Sequence, residues 1–69
     1  MKIMNQKVEH KRFGQGTVIG LKDRKLYVSF GKIFGDKGFA YPDVFKHDMK
    51  LLDGDAQEEM MEELAEASR

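Results

Sequence analysis

The chain has 69 residues, no cysteine, and 12 basic against 12 acidic side chains. That length makes one domain with a modest core, burying roughly 60% of the unfolded surface. It excludes a disulfide framework or a thiolate metal site, no apolar run is long enough to span a membrane, and MKIMNQK has no continuous apolar stretch of the secretory kind, so a cytoplasmic protein without membrane contact is expected. The zero net charge hides a split: residues 1–50 carry +6 and residues 51–69 carry −6. A basic module with an acidic appendage follows.

Residues 1–6 read as a flexible lead-in. Lys7 to His10 is a short strand, and Phe13 to Gly16 a turn or bulge. Glycine at such a turn supplies a positive φ or a close backbone approach that a Cβ would forbid, and Phe13 supplies an apolar anchor. Thr17 to Leu21 is β-rich. Lys22-Asp23-Arg24-Lys25 is a polar four-residue connection of the kind built around a type I turn. Leu26 to Phe30 alternates, with Leu26, Val28 and Phe30 on one face and Tyr27 and Ser29 on the other. Residues 17–30 are therefore a β-hairpin.

Gly31 to Gly38 reads as a longer loop holding Ile33 and Phe34, which are expected to fold inward as a lid. Phe39-Ala40-Tyr41 is a short strand ended by Pro42, which has no N–H for a ladder. Pro42 to Phe45 suits a single helical turn. Met49 to Asp53 is the last strand. The period then changes. Asp55 and Glu58 have the spacing of a capping box, and Ala56, Met60, Leu64 and Ala67 share one helical stripe flanked by Met61 and Ala65. A helix from about 56 to 66 is expected, capping the open end of the barrel. The chain thus divides into the lead-in, a β unit over 7–53 and an acidic amphipathic helix within 55–67. Five short strands with one helical turn predict a mainly β fold, a small, strongly bent five-stranded SH3-like barrel.

Chemistry-bearing patterns are sparse. FGQG lacks the spacing of a phosphate-binding loop and leads into no helix, so Phe13, Gly14 and Gly16 are structural turn residues. His10 and His47 do not make up a zinc ligand set, no activated nucleophile or paired carboxylate is recognisable, and no cofactor, metal site or enzymatic activity is expected. The basic residues lie in turns. Lys11, Arg12 and Lys37, with the aromatic side chains of Tyr27, Phe34 and Tyr41, are the expected partner-binding surface, since exposed aromatics among cations carry protein hot spots or stack on bases.

VEHKRFGQGTV, the hairpin ending VSF and the following Gly35-Asp36-Lys37 resemble the C-terminal Tudor-like domain of UvrD/PcrA-type bacterial helicases. Val8, His10, Phe13, Gly14, Gly16, Val18, Val28, Phe30, Gly35 and Lys37 carry the resemblance, which covers residues 8–38. Similar small barrels occur in CarD-type RNA polymerase-interaction domains and KOW modules. Beyond Gly38, FAYPDVF departs from the helicase ending and is more like small bacterial domains of undefined activity. The resemblance implies an SH3/Tudor-like barrel and a noncatalytic protein-interaction role with bacterial RNA polymerase or DNA-repair machinery. Two other readings stay open: nucleic-acid binding through the basic face, and a structural or oligomerisation appendage.

Overall fold

A computed structural model of the chain describes residues 3–67. The elements run β1 (Lys7–His10), β2 (Gly14–Lys22), β3 (Lys25–Ser29), β4 (Asp36–Ala40), α1 (Val44–His47), β5 (Met49–Leu51) and α2 (Gly54–Ala67). All five strands form one antiparallel sheet in the order β4-β3-β2-β1-β5. The fold is mainly β with a C-terminal helix, as the sequence predicts. No ladder joins the end strands β4 and β5, so the sheet is open rather than closed into a barrel.

The inner face of the sheet is set by alternation. Val8, Val18, Leu26 and Val28 are all fully buried, while their neighbours Glu9 and Tyr27 point outward. The register shifts between Val18 and Gly20, which leaves Ile19 as the extra residue of a β-bulge, 44% exposed. Such a bulge bends the long β2 and sharpens its twist.

The β2–β3 connection is tighter than the expected four-residue loop. Lys22 pairs with Lys25, and the two residues between them, Asp23 and Arg24, have φ of 53° and 62°. Two left-handed residues make a type I′ turn, whose twist matches that of the strands, and this outweighs the local preference for a type I turn. β4 also begins earlier than expected, at Asp36 rather than Phe39. The three glycines of 31–38 read locally as loop, but Lys37 and Phe39 pair with Val28 and Leu26, and this ladder carries the strand through Gly38.

Residues 3–6 are not the loose lead-in the sequence suggests; Met1 and Lys2 lie outside the described residues. Ile3 joins the core, the Asn5 N–H donates to the Val18 carbonyl at 2.9 Å, and the Val18 N–H donates to the Gln6 carbonyl at 3.0 Å. These bonds occupy β2 beyond the end of β1, where no strand covers it.

The helix packs against its own sheet. Ala56, Met60 and Leu64 are buried with Phe45, Met49 and Leu51, whereas Ala67 at the end of the predicted stripe is exposed. The cap differs from the predicted one: Asp53 Oδ1 accepts the Ala56 N–H at 3.1 Å, and Asp55 lies inside the helix. Gln57 Oε1 accepts the Leu51 N–H at 2.8 Å, so the helix also covers the outer edge of β5. Tyr41 donates its hydroxyl proton to the Glu63 carboxylate, with the oxygens at 3.0 and 3.1 Å. Burial first, then this bond and the Glu63 charge, push the Tyr41 hydroxyl up to about 12. Among the described residues, no helix is long and apolar enough to cross a membrane.

Candidate interaction surface

The helix covers one end of the sheet's inner face. The other end carries an aromatic cluster built around His10. This residue ends β1, where it pairs with Gly14 of β2 and Met49 of β5. Its ring packs on both Phe13 and Phe39, at centroid distances of 4.9 and 5.0 Å and an interplanar angle of 27° to each, and those two rings are 6.4 Å from one another. Phe30 meets both phenylalanines, and Phe34 packs on Phe13 at 5.3 Å. Each such ring pair adds about 0.5–1.5 kcal/mol beyond its buried area.

His10 Nδ1 accepts the backbone N–H groups of Arg12 at 3.1 Å and Phe13 at 3.3 Å. An acceptor nitrogen in that position places the proton of the neutral ring on Nε2. Burial lowers the pKa of His10 below 6.5, Asp48 opposes this, and Lys11 and Arg12 reinforce it. The histidine is therefore a buried fastener of the β1–β2 turn. It folds Lys11-Arg12-Phe13 so that Phe13 reaches the cluster.

The two glycines of this turn have separate tasks. Gly14 has φ of 79°, a left-handed conformation. Gly16 lies so close to β3 that a Cβ there would fall 2.7 Å from Val28 Cγ1 and 2.8 Å from the Phe30 ring. Gly14 and Gly16 thus shape the turn, and Phe13 beside them is central to the half-buried cluster.

Four of the six expected partner-binding residues gather here. Phe34 is 44% exposed, and Lys37 Nζ stands 5.0 Å above the Phe13 ring, a cation–π contact. Arg12 is exposed on the turn, and Lys11 pairs with Asp48 at 2.8 Å. The other two lie elsewhere. Tyr27 is on the outer face of the sheet beside Gly20 and Gly38, and Tyr41 is committed to Glu63 and the Phe45 ring.

Ile33 does not fold inward as a lid: it is 89% exposed, between Gly31 and Gly35. The loop is closed by bonds from the Gly35 N–H to the Gly31 carbonyl at 2.8 Å and from the Phe30 N–H to the Gly35 carbonyl at 3.0 Å. This short circuit leaves Ile33 at the tip and lets only Phe34 turn back onto Phe13. His10, Phe13, Ile33 and Phe39 are the members of this surface that the candidate set lacks. The apolar pair Ile33-Phe34 within a glycine-rich loop was the signal for Ile33. In the sequence His10 enters only through the helicase resemblance and an incomplete zinc ligand set, and nothing local marks Phe39.

A cleft of about 360 Å³ opens between the Phe39 side of β4 and Asp48, at the start of β5, lined also by His10, Lys11, Arg12 and Phe13. No group of three or more His, Cys, Asp or Glu among the described residues is placed to hold a metal ion. Compared with known protein families, curated proteins and solved structures, the chain matches none.

Proposed function

We propose that this chain is a noncatalytic protein-interaction module of the SH3/Tudor-like type, docking on bacterial RNA polymerase or DNA-repair machinery through the aromatic tip. The observation that carries the interaction role is Ile33, 89% exposed beside the half-exposed Phe34 and braced by Phe13. An isoleucine held out in water by a closed loop is a cost that burial against a partner recovers, about 1.5–3 kcal/mol for a full side chain. Lys32 and Lys37 flank this apolar knob with cations, which favours an acidic rim on the partner.

Two features support the SH3/Tudor-like reading. The sheet runs β4-β3-β2-β1-β5 with β2 bent at a bulge, and one helical turn links the two end strands. The VEHKRFGQGTV turn places the helicase-like residues His10, Phe13, Phe30 and Lys37 in one cluster. The choice of transcription or repair machinery rests on that resemblance alone.

The test is a pull-down from a bacterial lysate with the immobilised domain, followed by mass spectrometry. The parent chain should enrich one complex reproducibly, and Ile33→Asp or Phe34→Ala should lose it while keeping the fold. A parent chain that enriches nothing reproducible refutes the reading.

A further inference from the structure

β4 is an end strand with only one neighbour. The Gly35 carbonyl and the Tyr41 N–H both bond toward β3, to Phe30 and Arg24. Backbone groups alternate sides along a strand, so residues 35, 37, 39 and 41 face β3. The N–H and C=O groups of Asp36, Gly38 and Ala40 therefore face away from the sheet. All three residues are exposed, and two of them carry no side chain larger than a methyl group. Charged side chains, proline and bulges are the usual protections of an edge; of these the outward positions of β4 carry only the Asp36 carboxylate at its start, and Gly38 and Ala40 leave the rest of the edge bare. The opposite end of the sheet is treated differently, since Gln57 of α2 occupies the outward Leu51 N–H of β5.

The cleft lined by Phe39, His10, Phe13, Lys11, Arg12 and Asp48 begins on the inner side of β4. Its walls are aromatic. Of its cations, Lys11 is neutralised by Asp48, while Arg12 has no ion-pair partner among the described residues. Lys37 stands beside it over Phe13. A strand added to β4 would direct alternate side chains onto this surface.

We infer that β4 accepts an extended peptide of the partner as a sixth strand, one whose inward side chains alternate apolar with acidic. The apolar group meets Phe13 and Phe39, the carboxylate meets Arg12 and Lys37, and the backbone bonds to Asp36, Gly38 and Ala40. This rests on the protein-interaction reading and specifies its partner.

The probes are short blocked peptides of the repeat Val-Thr-Glu-Thr, which places valine and glutamate in turn on one face of a strand, and matched peptides with lysine in place of glutamate. Binding is followed by NMR together with amide hydrogen exchange. The glutamate peptide should bind saturably and slow exchange at Gly38 and Ala40. Gly38→Pro removes an outward N–H, which an edge strand tolerates, and should abolish binding. Ala40→Pro does the same at a second position should the first variant fail to fold. Arg12→Ala and Lys37→Ala should each weaken binding about tenfold, and added salt should weaken it further.

Equal binding of the lysine peptide, no binding of either, or binding without protection of Gly38 and Ala40 overturns the inference. Concentration-dependent dimerisation that protects the same amides also overturns it, because the edge then belongs to a second copy. A pull-down that Ile33→Asp abolishes and Gly38→Pro leaves intact removes the strand addition and keeps the interaction module. A parent chain that captures nothing removes the module itself.

Discussion

Alanine at Gly16 and alanine at Gly14 should fail for different physical reasons. At Gly16 the new methyl group would lie 2.7 Å from Val28 Cγ1 and 2.8 Å from Phe30 Cδ1 and Cε1. Val28 is fully buried and has nowhere to retreat, and Phe30 is held by Phe13 and Phe39. The expected loss is an overpacking cost of about 1–3 kcal/mol. At Gly14 a Cβ meets nothing within 4 Å, and the loss is left-handed strain alone, about 1–2 kcal/mol. The two costs overlap, so coupling to Phe30 separates them. Phe30→Leu removes the ring carbons that crowd Gly16. Combined with Gly16→Ala, it should recover about 1 kcal/mol relative to the sum of the single changes, while Gly14→Ala with Phe30→Leu should be additive within about 0.5 kcal/mol. Urea unfolding followed by circular dichroism measures both cycles, provided the slope with denaturant is unchanged. Additivity at Gly16, or coupling of the same size at Gly14, would refute the division of tasks within the turn.

Met60→Ala should cost about 2–5 kcal/mol in the same assay, since Met60 is fully buried between helix and sheet; a change below 1 kcal/mol would mean the helix is not part of the core. Asp53→Ala should cost about 1 kcal/mol by removing the cap of Ala56, and Asp55→Ala should cost less; the reverse order would restore the capping box read from the sequence. Replacing Asp23-Arg24 with Asn-Gly should raise stability by about 1 kcal/mol, because both residues now hold positive φ; a lowered melting temperature would contradict the type I′ turn. The lowered pKa of His10 makes stability fall on acidification: both states are neutral well above pH 6.5, and below it the unfolded chain takes up the proton first, with a slope of at most about 1.4 kcal/mol per pH unit until the folded histidine titrates. Melting between pH 7.5 and 5.5 should show this slope for the parent chain and a flatter one for His10→Asn, which keeps an acceptor for the turn without titrating; equal slopes would sink the assignment.

Local pattern alone determined β1, the β2–β3 hairpin, the helical turn and the buried stripe of α2. Each depends on the period of apolar residues within one segment, as in Leu26-Tyr27-Val28 or Ala56-Met60-Leu64. The same local cues misread Asp23-Arg24, Ile3 and the start of β4, because strand twist and pairing decided those backbones from a distance. The candidate surface divides in the same way. Arg12, Phe34 and Lys37 were legible as cations and an aromatic in loops, whereas His10 and Phe39 joined them only when β1 and β4 approached across the inner face. Tyr27 and Tyr41 read like their companions in sequence, yet the sheet turned one to its outer face and the helix claimed the other. Periodicity encodes which residues leave water, because burial follows from each segment's own geometry. Which residues meet there, and whether the sheet keeps an open edge, depends on contacts between segments far apart in the chain, and only the tertiary structure decided those.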